Sequence, residues 1–156
     1  MLAVERVLLN GWRKIRPSAV SGPEHDRTSP TQSTVTIMVV DDDERARRVT
    51  ARMLRDEGYH VIEAQSGEQA LERLAAAEQV QIVLADIAMP GGMNGVELAE
   101  KVLMTAPWRR IVLMSGYDRL FPKWGTLGAQ FPLLMKPFTA GQLLHQMSEA
   151  LKRELH

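Results

Sequence analysis

From residue 35 onward, short apolar runs alternate with longer segments in which apolar residues recur every three or four positions. The short runs predict buried strands, and the longer period predicts helices with one apolar face. Five strands are predicted, at residues 35–40, 59–64, 81–85, 110–114 and 133–135. Because helical segments separate them, we expect parallel strands joined by right-handed crossovers, with helices on both faces of the sheet.

Residues that favour helix ends mark the boundaries of the helical segments. Four helices are predicted over residues 44–57, from Ser66 through Ala75, over residues 96–104, and after Thr139. Gly58 is a C-terminal stop for the first helix, and Ser66 has capping-box spacing with Gln69. The residues expected on the buried helix faces are Ala46, Val49, Met53, Leu54, Leu71, Leu74, Ala75, Leu98, Val102, Leu103, Leu143, Leu144, Met147 and Leu151.

One further helix is expected between the fourth and fifth strands, over residues 118–128. Pro122 and Gly125 lie inside it, and both residue types disfavour a helix interior, so this helix should be short, frayed or displaced. Five strands alternating with five helices predict an α/β fold with a doubly wound sheet of strand order 2-1-3-4-5.

The first 34 residues differ in composition from the rest of the chain. Residues 17–34 are rich in Pro, Ser, Thr, Gly and Gln without an apolar period, which predicts a flexible linker. Five apolar residues ahead of it have the spacing of a short amphipathic helix: Leu2, Val4, Val7, Leu8 and Ile15. A mobile tail is the favoured alternative, because termini are ordered only when they are tied down. We therefore divide the chain into a tail and linker over 1–34 and one folded domain over 35–156.

The composition matches an average soluble protein, with 45% hydrophobic and 24% charged residues. Equal numbers of acidic and basic side chains, 19 of each, give no indication of a nucleic-acid surface. The chain has no cysteine, which excludes disulfides and thiolate nucleophiles and fits a reducing cytoplasm. The apolar runs are too short to span a membrane, and the N-terminal order of apolar and basic residues is the reverse of a secretory signal.

Polar and charged side chains that are capable of acid–base or metal-binding chemistry stand at the ends of the predicted strands. They are Asp41, Asp42, Asp86, Ser115 and Lys136. Because ligands of open α/β sheets bind outside the carboxyl ends of the strands, we expect these groups at one edge of the sheet. Clustered carboxylates repel one another unless a cation intervenes, and hard oxygen ligands suit Mg²⁺. Asp43 is instead expected to cap the first helix.

This set of groups fits phosphoryl transfer. A metal held by one or two carboxylates keeps positions for phosphate oxygens, and charge neutralisation supplies most of the catalysis. Lys136 can bind phosphate as a point charge, and the Ser115 hydroxyl can donate to a phosphoryl oxygen. An aspartate that attacks phosphorus forms an acyl phosphate.

Four motifs that occur in order, each at a strand end, resemble the receiver domain of two-component response regulators. The motifs are Val39-Val40-Asp41-Asp42-Asp43, Asp86-Ile87-Ala88-Met89-Pro90 with Gly95, Met114-Ser115-Gly116 and Lys136-Pro137-Phe138. The resemblance runs from about residue 36 to the C-terminus, implies a flavodoxin-like fold, and is specific because the motifs occur jointly.

The resemblance implies that Asp86 is the phosphorylated residue and that Ser115 and Lys136 contact the phosphoryl group. The implied Mg²⁺ ligands are Asp41, Asp42, Asp86 and the main-chain carbonyl of Ala88. The peptide bond between Lys136 and Pro137 is expected to be cis, an uncommon geometry elsewhere. Mg²⁺-dependent self-phosphorylation from a small phosphodonor, followed by autodephosphorylation, is expected of such a domain.

The resemblance further implies a cytoplasmic, single-domain response regulator, similar to the receivers of hybrid histidine kinases. Its phosphoryl donor would be a histidine kinase or a histidine phosphotransfer protein. Its output would be phosphorelay or binding of an unidentified protein through the helix expected over residues 118–128, the fifth strand and the helix after Thr139, and a homodimer stays open. No nucleic acid or membrane is expected as a partner. Two alternatives stay open: a phosphorylation-independent pseudo-receiver, and an aspartate-nucleophile phosphatase using Asp41 and Asp43.

Several positions depart from the usual pattern of the family. Leu133 replaces the aromatic residue whose ring turns inward on activation, so Phe131 and Tyr117 are the candidates for that role. The Ala88 side chain cannot hydrogen-bond a water, and the Tyr117 ring can cover the site. These two features lead to the hypothesis that the phosphorylated form decays slowly. The loop over residues 90–95 is one residue longer than the tightest form in the family.

Overall fold

A computed structural model describes residues 34–77, 79–116 and 130–153. The strands in these ranges are β1 Thr36–Val40, β2 His60–Ala64, β3 Val80–Asp86, β4 Arg110–Ser115 and β5 Leu133–Met135. The helices are α1 Glu44–Asp56, α2 Gly67–Ala76, α3 Gly95–Thr105 and α4 Ala140–Lys152. The predicted N-terminal helix and linker, the helix expected over residues 118–128, and Tyr117 lie outside the described residues. None of the described helices is long and apolar enough to cross a bilayer.

The five strands form one parallel sheet of order β2-β1-β3-β4-β5, which confirms the predicted fold class and strand order. The ends of each strand lie within one residue of those predicted. Adjacent β1 and β3 are aligned so that Val40 lies beside Ala85. The residues that follow β1 therefore emerge next to the end of β3.

Side chains of β1 alternate between two hydrophobic clusters, one on each face of the sheet. Met38 and Val40 pack with residues of α2 and α3, whereas Ile37 and Val39 pack with residues of α1 and α4. All five β1 residues are buried, as expected for a central parallel strand that is covered on both faces. This two-sided core fixes the sheet edge from which the polar residues project.

Side-chain caps begin all four described helices. Asp43 and Thr139 cap α1 and α4 as predicted, and Asn94 forms a capping box with Glu97 at α3. At α2 the predicted capping box is only half correct. The Ser66 hydroxyl accepts from the Gln69 N–H, but the Gln69 side chain accepts from the N–H of Gln65 rather than Ser66.

The predicted buried faces of α1 and α2 need correction. Val49 is 50% exposed, and Thr50 and Ala51 are buried in its place. Ala75 is also exposed, while Ala70 and Leu74 face the core. In both helices the buried residues are spaced three or four apart and include Leu54 in α1 and Leu74 in α2. Val49 and Ala75 are each next in sequence to a buried residue.

Candidate functional site

The candidate site lies at the carboxyl edge of the sheet. Asp41 directly follows β1 and is completely buried, and its N–H donates to the carbonyl of Ala64 at the end of β2. Asp86 is the last residue of β3 and is also buried. Because β1 and β3 are neighbours in register, these two carboxylates emerge side by side.

Lys136 reaches both carboxylates from the end of β5. Its Nζ donates to Asp41 Oδ2 at 2.7 Å and to Asp86 Oδ2 at 2.9 Å. The Lys136 N–H donates to the Ser115 carbonyl at 2.6 Å, which extends the β4–β5 pairing, and the bond to Pro137 is cis as expected. The two acids and the amine that the sequence predicted at one edge are thus in direct contact.

Burial and pairing act in opposite directions on these groups. Burial raises the pKa of Asp86, and the Lys136 ammonium offsets this only in part. Burial lowers the pKa of Lys136, but the hydrogen bonds with Asp41 and Asp86 outweigh it, so the net shift is upward. Lys136 is therefore held as an ammonium, and the charge of Asp86 is maintained at an energetic cost.

Asp42 completes a group of three carboxylates that can hold a metal ion. Oxygen atoms of Asp41, Asp42 and Asp86 lie within 4.8 Å of one another. Asp42 is exposed, so water can occupy further coordination positions. Ala88 is exposed beside them, and its N–H donates to Asp86 Oδ1 at 3.2 Å. Carboxylate and carbonyl oxygens together with water fit the octahedral oxygen coordination of Mg²⁺.

Ser115 stands at the predicted strand end, but its hydroxyl is directed elsewhere. The Ser115 Oγ donates to the Gly116 carbonyl at 2.9 Å and is buried. Among the described contacts the hydroxyl does not reach Asp86 or Lys136. Its single O–H must leave the Gly116 carbonyl before it can donate to a group bound at Asp86.

Asp43 does not join the acidic group. Its Oδ1 accepts from the N–H groups of Arg45 and Ala46 at 2.8 and 3.1 Å. The Ala46 and Arg45 N–H groups lower the pKa of Asp43 by stabilising its carboxylate. This confirms the predicted helix cap and commits the side chain to α1.

Arg47 supports the site and was not anticipated from the sequence. One guanidinium nitrogen donates to the Asp41 carbonyl at 2.7 Å, and Nε lies 3.4 Å from Glu63 in β2. Glu63 is also paired with Arg55 at 3.0 Å. The available signal was the spacing of Arg47 from Thr50, Ala51 and Leu54, which places it on the inward side of α1.

Glycine is required where the chain passes Asp86 a second time. A Cβ on Gly95 would overlap the Asp86 carbonyl oxygen. The Gly95 N–H donates to the Ile87 carbonyl at 3.1 Å, and the Ile87 N–H donates to the Met114 carbonyl at 2.9 Å. The start of α3 and the end of β4 thus fix the main chain around Asp86.

Of the two residues considered for the aromatic role, Phe131 is described by the structure and Tyr117 lies outside the described residues. Phe131 is buried in the hydrophobic cluster that contains Leu98 and Leu113, and Leu133 is partly buried against the same cluster. Phe131 therefore contributes to the core in this structure, on the α3 side of the sheet.

Comparisons with known proteins identify relatives of this chain. A family model for the response regulator receiver domain matches residues 37–148. The sensor kinase CckA of Brucella abortus is 31% identical over 140 residues, covering 88% of this chain and 15% of that protein. The response regulator receiver protein CpdR of the same organism is 32% identical over 117 residues, covering 74% of this chain and 95% of CpdR.

A solved structure shows the same fold. The chemotaxis protein CheY4 of Vibrio cholerae matches with a TM-score of 0.68 at 25% identity, covering 76% of this chain and 99% of that one. The chain spans only part of several curated relatives: 15% of CckA, 32% of a cyclic di-GMP phosphodiesterase from Thermotoga maritima and 51% of the response regulator MprA from Mycolicibacterium vanbaalenii. Segments similar to this chain thus also occur within longer proteins.

Proposed function

The chain belongs to the response regulator receiver domain family, and from that premise we propose that Asp86 accepts a phosphoryl group from a histidine kinase or a histidine phosphotransfer protein. One observation supports this most strongly. The Lys136 ammonium contacts both Asp41 and Asp86, while Asp42 supplies a third carboxylate nearby. Nucleophile, cation and metal-binding acids are thereby gathered around one point.

In the proposed reaction a carboxylate oxygen of Asp86 attacks phosphorus as the bond between phosphorus and the donor nitrogen breaks. The nitrogen keeps the electron pair of that bond, and Asp86 becomes an acyl phosphate. Mg²⁺ held by Asp41, Asp42, Asp86 and the Ala88 carbonyl would neutralise charge on the phosphoryl oxygens. Lys136 shifts from the carboxylates to the new phosphoryl group, and the Ser115 hydroxyl rotates from Gly116 to donate to it.

These two shifts provide a route from the site to a protein surface. Lys136 and Ser115 are joined through the main chain at the β4–β5 pairing, next to α4. Added negative charge at Asp86 biases this region between two arrangements. We propose that a downstream protein, a phosphorelay partner or a second copy of the chain reads the surface formed by β5, α4 and the helix predicted over residues 118–128.

The proposal includes a cytoplasmic, single-domain response regulator. CpdR supports a single receiver domain as a sufficient unit, because this chain spans 95% of it. CckA supports a relay role as the second output, because CckA is a sensor kinase. The folded receiver over 35–156, preceded by a tail and linker over 1–34, is the domain division that we propose.

The two alternative functions make different use of the same residues. A phosphorylation-independent pseudo-receiver would not need the contact of Lys136 with Asp41 and Asp86. The presence of all three charged residues in contact therefore disfavours this alternative. An aspartate-nucleophile phosphatase built on Asp41 and Asp43 is disfavoured because Asp43 is engaged as the α1 cap.

Treatment of the whole chain with phosphoramidate and Mg²⁺, followed by intact-mass measurement, separates the three functions. We expect one phosphoryl group on the wild-type chain and on the control Asp56→Asn, an exposed acid of α1, and none on Asp86→Asn. Omitting Mg²⁺ should slow incorporation. A wild-type chain that remains unmodified contradicts the proposal and favours the pseudo-receiver, and steady hydrolysis of a phosphomonoester favours the phosphatase.

The lifetime of the label tests the hypothesis of slow decay. Ala88 is exposed next to Asp86, and its methyl group cannot orient an attacking water by hydrogen bonding. We expect the phosphorylated chain to persist for minutes or longer in Mg²⁺ buffer. A half-life of seconds contradicts this part of the proposal.

A further inference from the structure

The loop between β3 and α3, residues 87–94, is tied to a helix that is distant in sequence. The Met93 N–H donates to Glu68 Oε1 at 3.0 Å, across a separation of 25 residues. Glu68 is in the first turn of α2, and this contact is not part of the site described above. It is a link between α2 and the loop that follows Asp86.

Two glycines allow this close approach. A Cβ on Gly67 would lie 3.0 Å from Cβ and Sδ of Met93, which is tighter than nine in ten Cβ contacts in proteins. A Cβ on Gly92 would lie 3.1 Å from Glu68 Oε1. The loop and the start of α2 therefore pack closely from both sides, and the Glu68 carboxylate lies at the centre of the contact.

Glu68 is itself held in place. Its own N–H and the Met93 N–H lower its pKa by stabilising the carboxylate, and the start of a helix favours negative charge. A hydrogen bond to an ionised acceptor is stronger than one between neutral groups. The contact is thus present in its charged form at neutral pH.

The same loop carries the groups next to Asp86. At one end the Ala88 N–H donates to Asp86 Oδ1, and at the other the Gly95 N–H donates to the Ile87 carbonyl. Glu68 supplies a further attachment, at Met93 near the α3 end of the loop, directly after an exposed stretch that contains two glycines. With glycine at two successive positions, this stretch has more conformational freedom to lose than other loop residues would have.

We infer that Glu68 is a positioning residue, which fixes the loop over residues 87–94 and so presents the Ala88 main-chain carbonyl to Mg²⁺. The inference rests on the proposed function for the identity of the metal ligands. In this inference Glu68 is not itself a ligand of the metal or the phosphoryl group. It acts through the Met93 N–H and the loop geometry.

Calorimetric titration of the whole chain with MgCl₂ tests the inference without requiring phosphorylation. We expect Glu68→Ala to raise the Mg²⁺ dissociation constant about three- to tenfold, the range for loss of one hydrogen bond. Glu68→Gln, which keeps a carbonyl acceptor but loses the charge, should stay closer to wild type than Glu68→Ala does. The matched control Glu72→Ala removes an exposed acid one turn along the same helix and should change nothing.

A double-mutant cycle distinguishes positioning from a general loss of stability. Gly92→Ala pushes a methyl group against the Glu68 carboxylate, so it should weaken Mg²⁺ binding in the wild-type background. It should have no further effect in the Glu68→Ala background, because the contact is already gone. In the metal-free chain, the Met93 amide should lose hydrogen-exchange protection in Glu68→Ala but keep it in Glu68→Gln.

Phosphorylation kinetics give a second readout. With phosphoramidate, Glu68→Ala should be slow at low Mg²⁺ and should reach the wild-type rate at saturating Mg²⁺. Wild-type Mg²⁺ affinity in both Glu68→Ala and Gly92→Ala overturns the inference, even if Asp86 is phosphorylated normally. If the wild-type chain binds Mg²⁺ but accepts no phosphoryl group, the proposed function fails while the calorimetric result for Glu68 still stands. A wild-type chain that binds no Mg²⁺ overturns both.

Discussion

Replacing Lys136 with methionine removes the cation between two buried carboxylates and keeps most of the side-chain volume. Asp41 is completely buried, Asp86 is nearly so, and both lose the ammonium hydrogen bond. Removing one partner of a buried ion pair costs roughly 3–5 kcal/mol. Two features reduce this cost: Lys136 is 23% exposed, and Asp41 still accepts a hydrogen bond from the Asp43 N–H. We therefore expect a loss of about 2–3 kcal/mol in the free energy of unfolding.

Urea unfolding, followed by circular dichroism, measures this loss in EDTA and again at saturating Mg²⁺. Because Mg²⁺ neutralises the same carboxylates, it should stabilise Lys136→Met more than wild type and bring the difference below about 1 kcal/mol. Lys136→Met should also bind Mg²⁺ more tightly, since no ammonium competes for Asp41 and Asp86.

Lys152→Met is the matched control. Lys152 is 69% exposed and, within the described part of the chain, is paired only with Glu149 at 3.1 Å, so its loss should cost no more than about 0.5 kcal/mol. This expectation is refuted if Lys136→Met is as stable as wild type in EDTA. It is also refuted if Mg²⁺ stabilises the variant and the wild type equally.

Asp43→Ala should lower the free energy of unfolding in urea by about 1 kcal/mol through loss of the α1 cap, and altered Mg²⁺ affinity would count against the cap role. Gly95→Ala, which presses a methyl group on the Asp86 carbonyl, should cost about 1–3 kcal/mol and slow phosphorylation, unlike Gly141→Ala. Hydrogen bonds with Asp41 and Asp86 raise the pKa of Lys136 above its ordinary value of 10.5, despite burial. The Lys136 ammonium therefore stabilises the fold fully below pH 10.5, and this stabilisation is lost as the pH rises through the raised pKa. Over that range, the difference in the free energy of unfolding between wild type and Lys136→Met should narrow in urea unfolding.

The sequence was sufficient to predict the fold and the convergence of Asp41, Asp86 and Lys136 at one edge of the sheet. Asp41, Asp86 and Lys136 directly adjoin apolar strands, and parallel strands bring their carboxyl ends to one edge, so their convergence followed from the strand order. Caps such as Asp43 and Thr139 were also predictable, because they depend on residues within one helical turn.

Contacts between distant elements were not predictable in the same way. Nothing local indicates that Glu68 meets Met93, or that Arg47 reaches the Asp41 carbonyl while it pairs with Glu63. The error at Val49 has a similar cause, because periodicity leaves the exact rotation of a helix undetermined until it packs. The Ser115 hydroxyl direction depends on a rotation that the residue type leaves free.

The most direct test of the central claim is the chemical location of the phosphoryl group. The whole chain is treated with phosphoramidate and Mg²⁺, reduced with borohydride to convert an acyl phosphate to an alcohol, and digested for peptide mass mapping. We expect reduction of Asp86 alone, to homoserine, and none in the Asp86→Asn chain. Reduction at Asp41, Asp42 or Asp43, or at no residue of the wild-type chain, would contradict it.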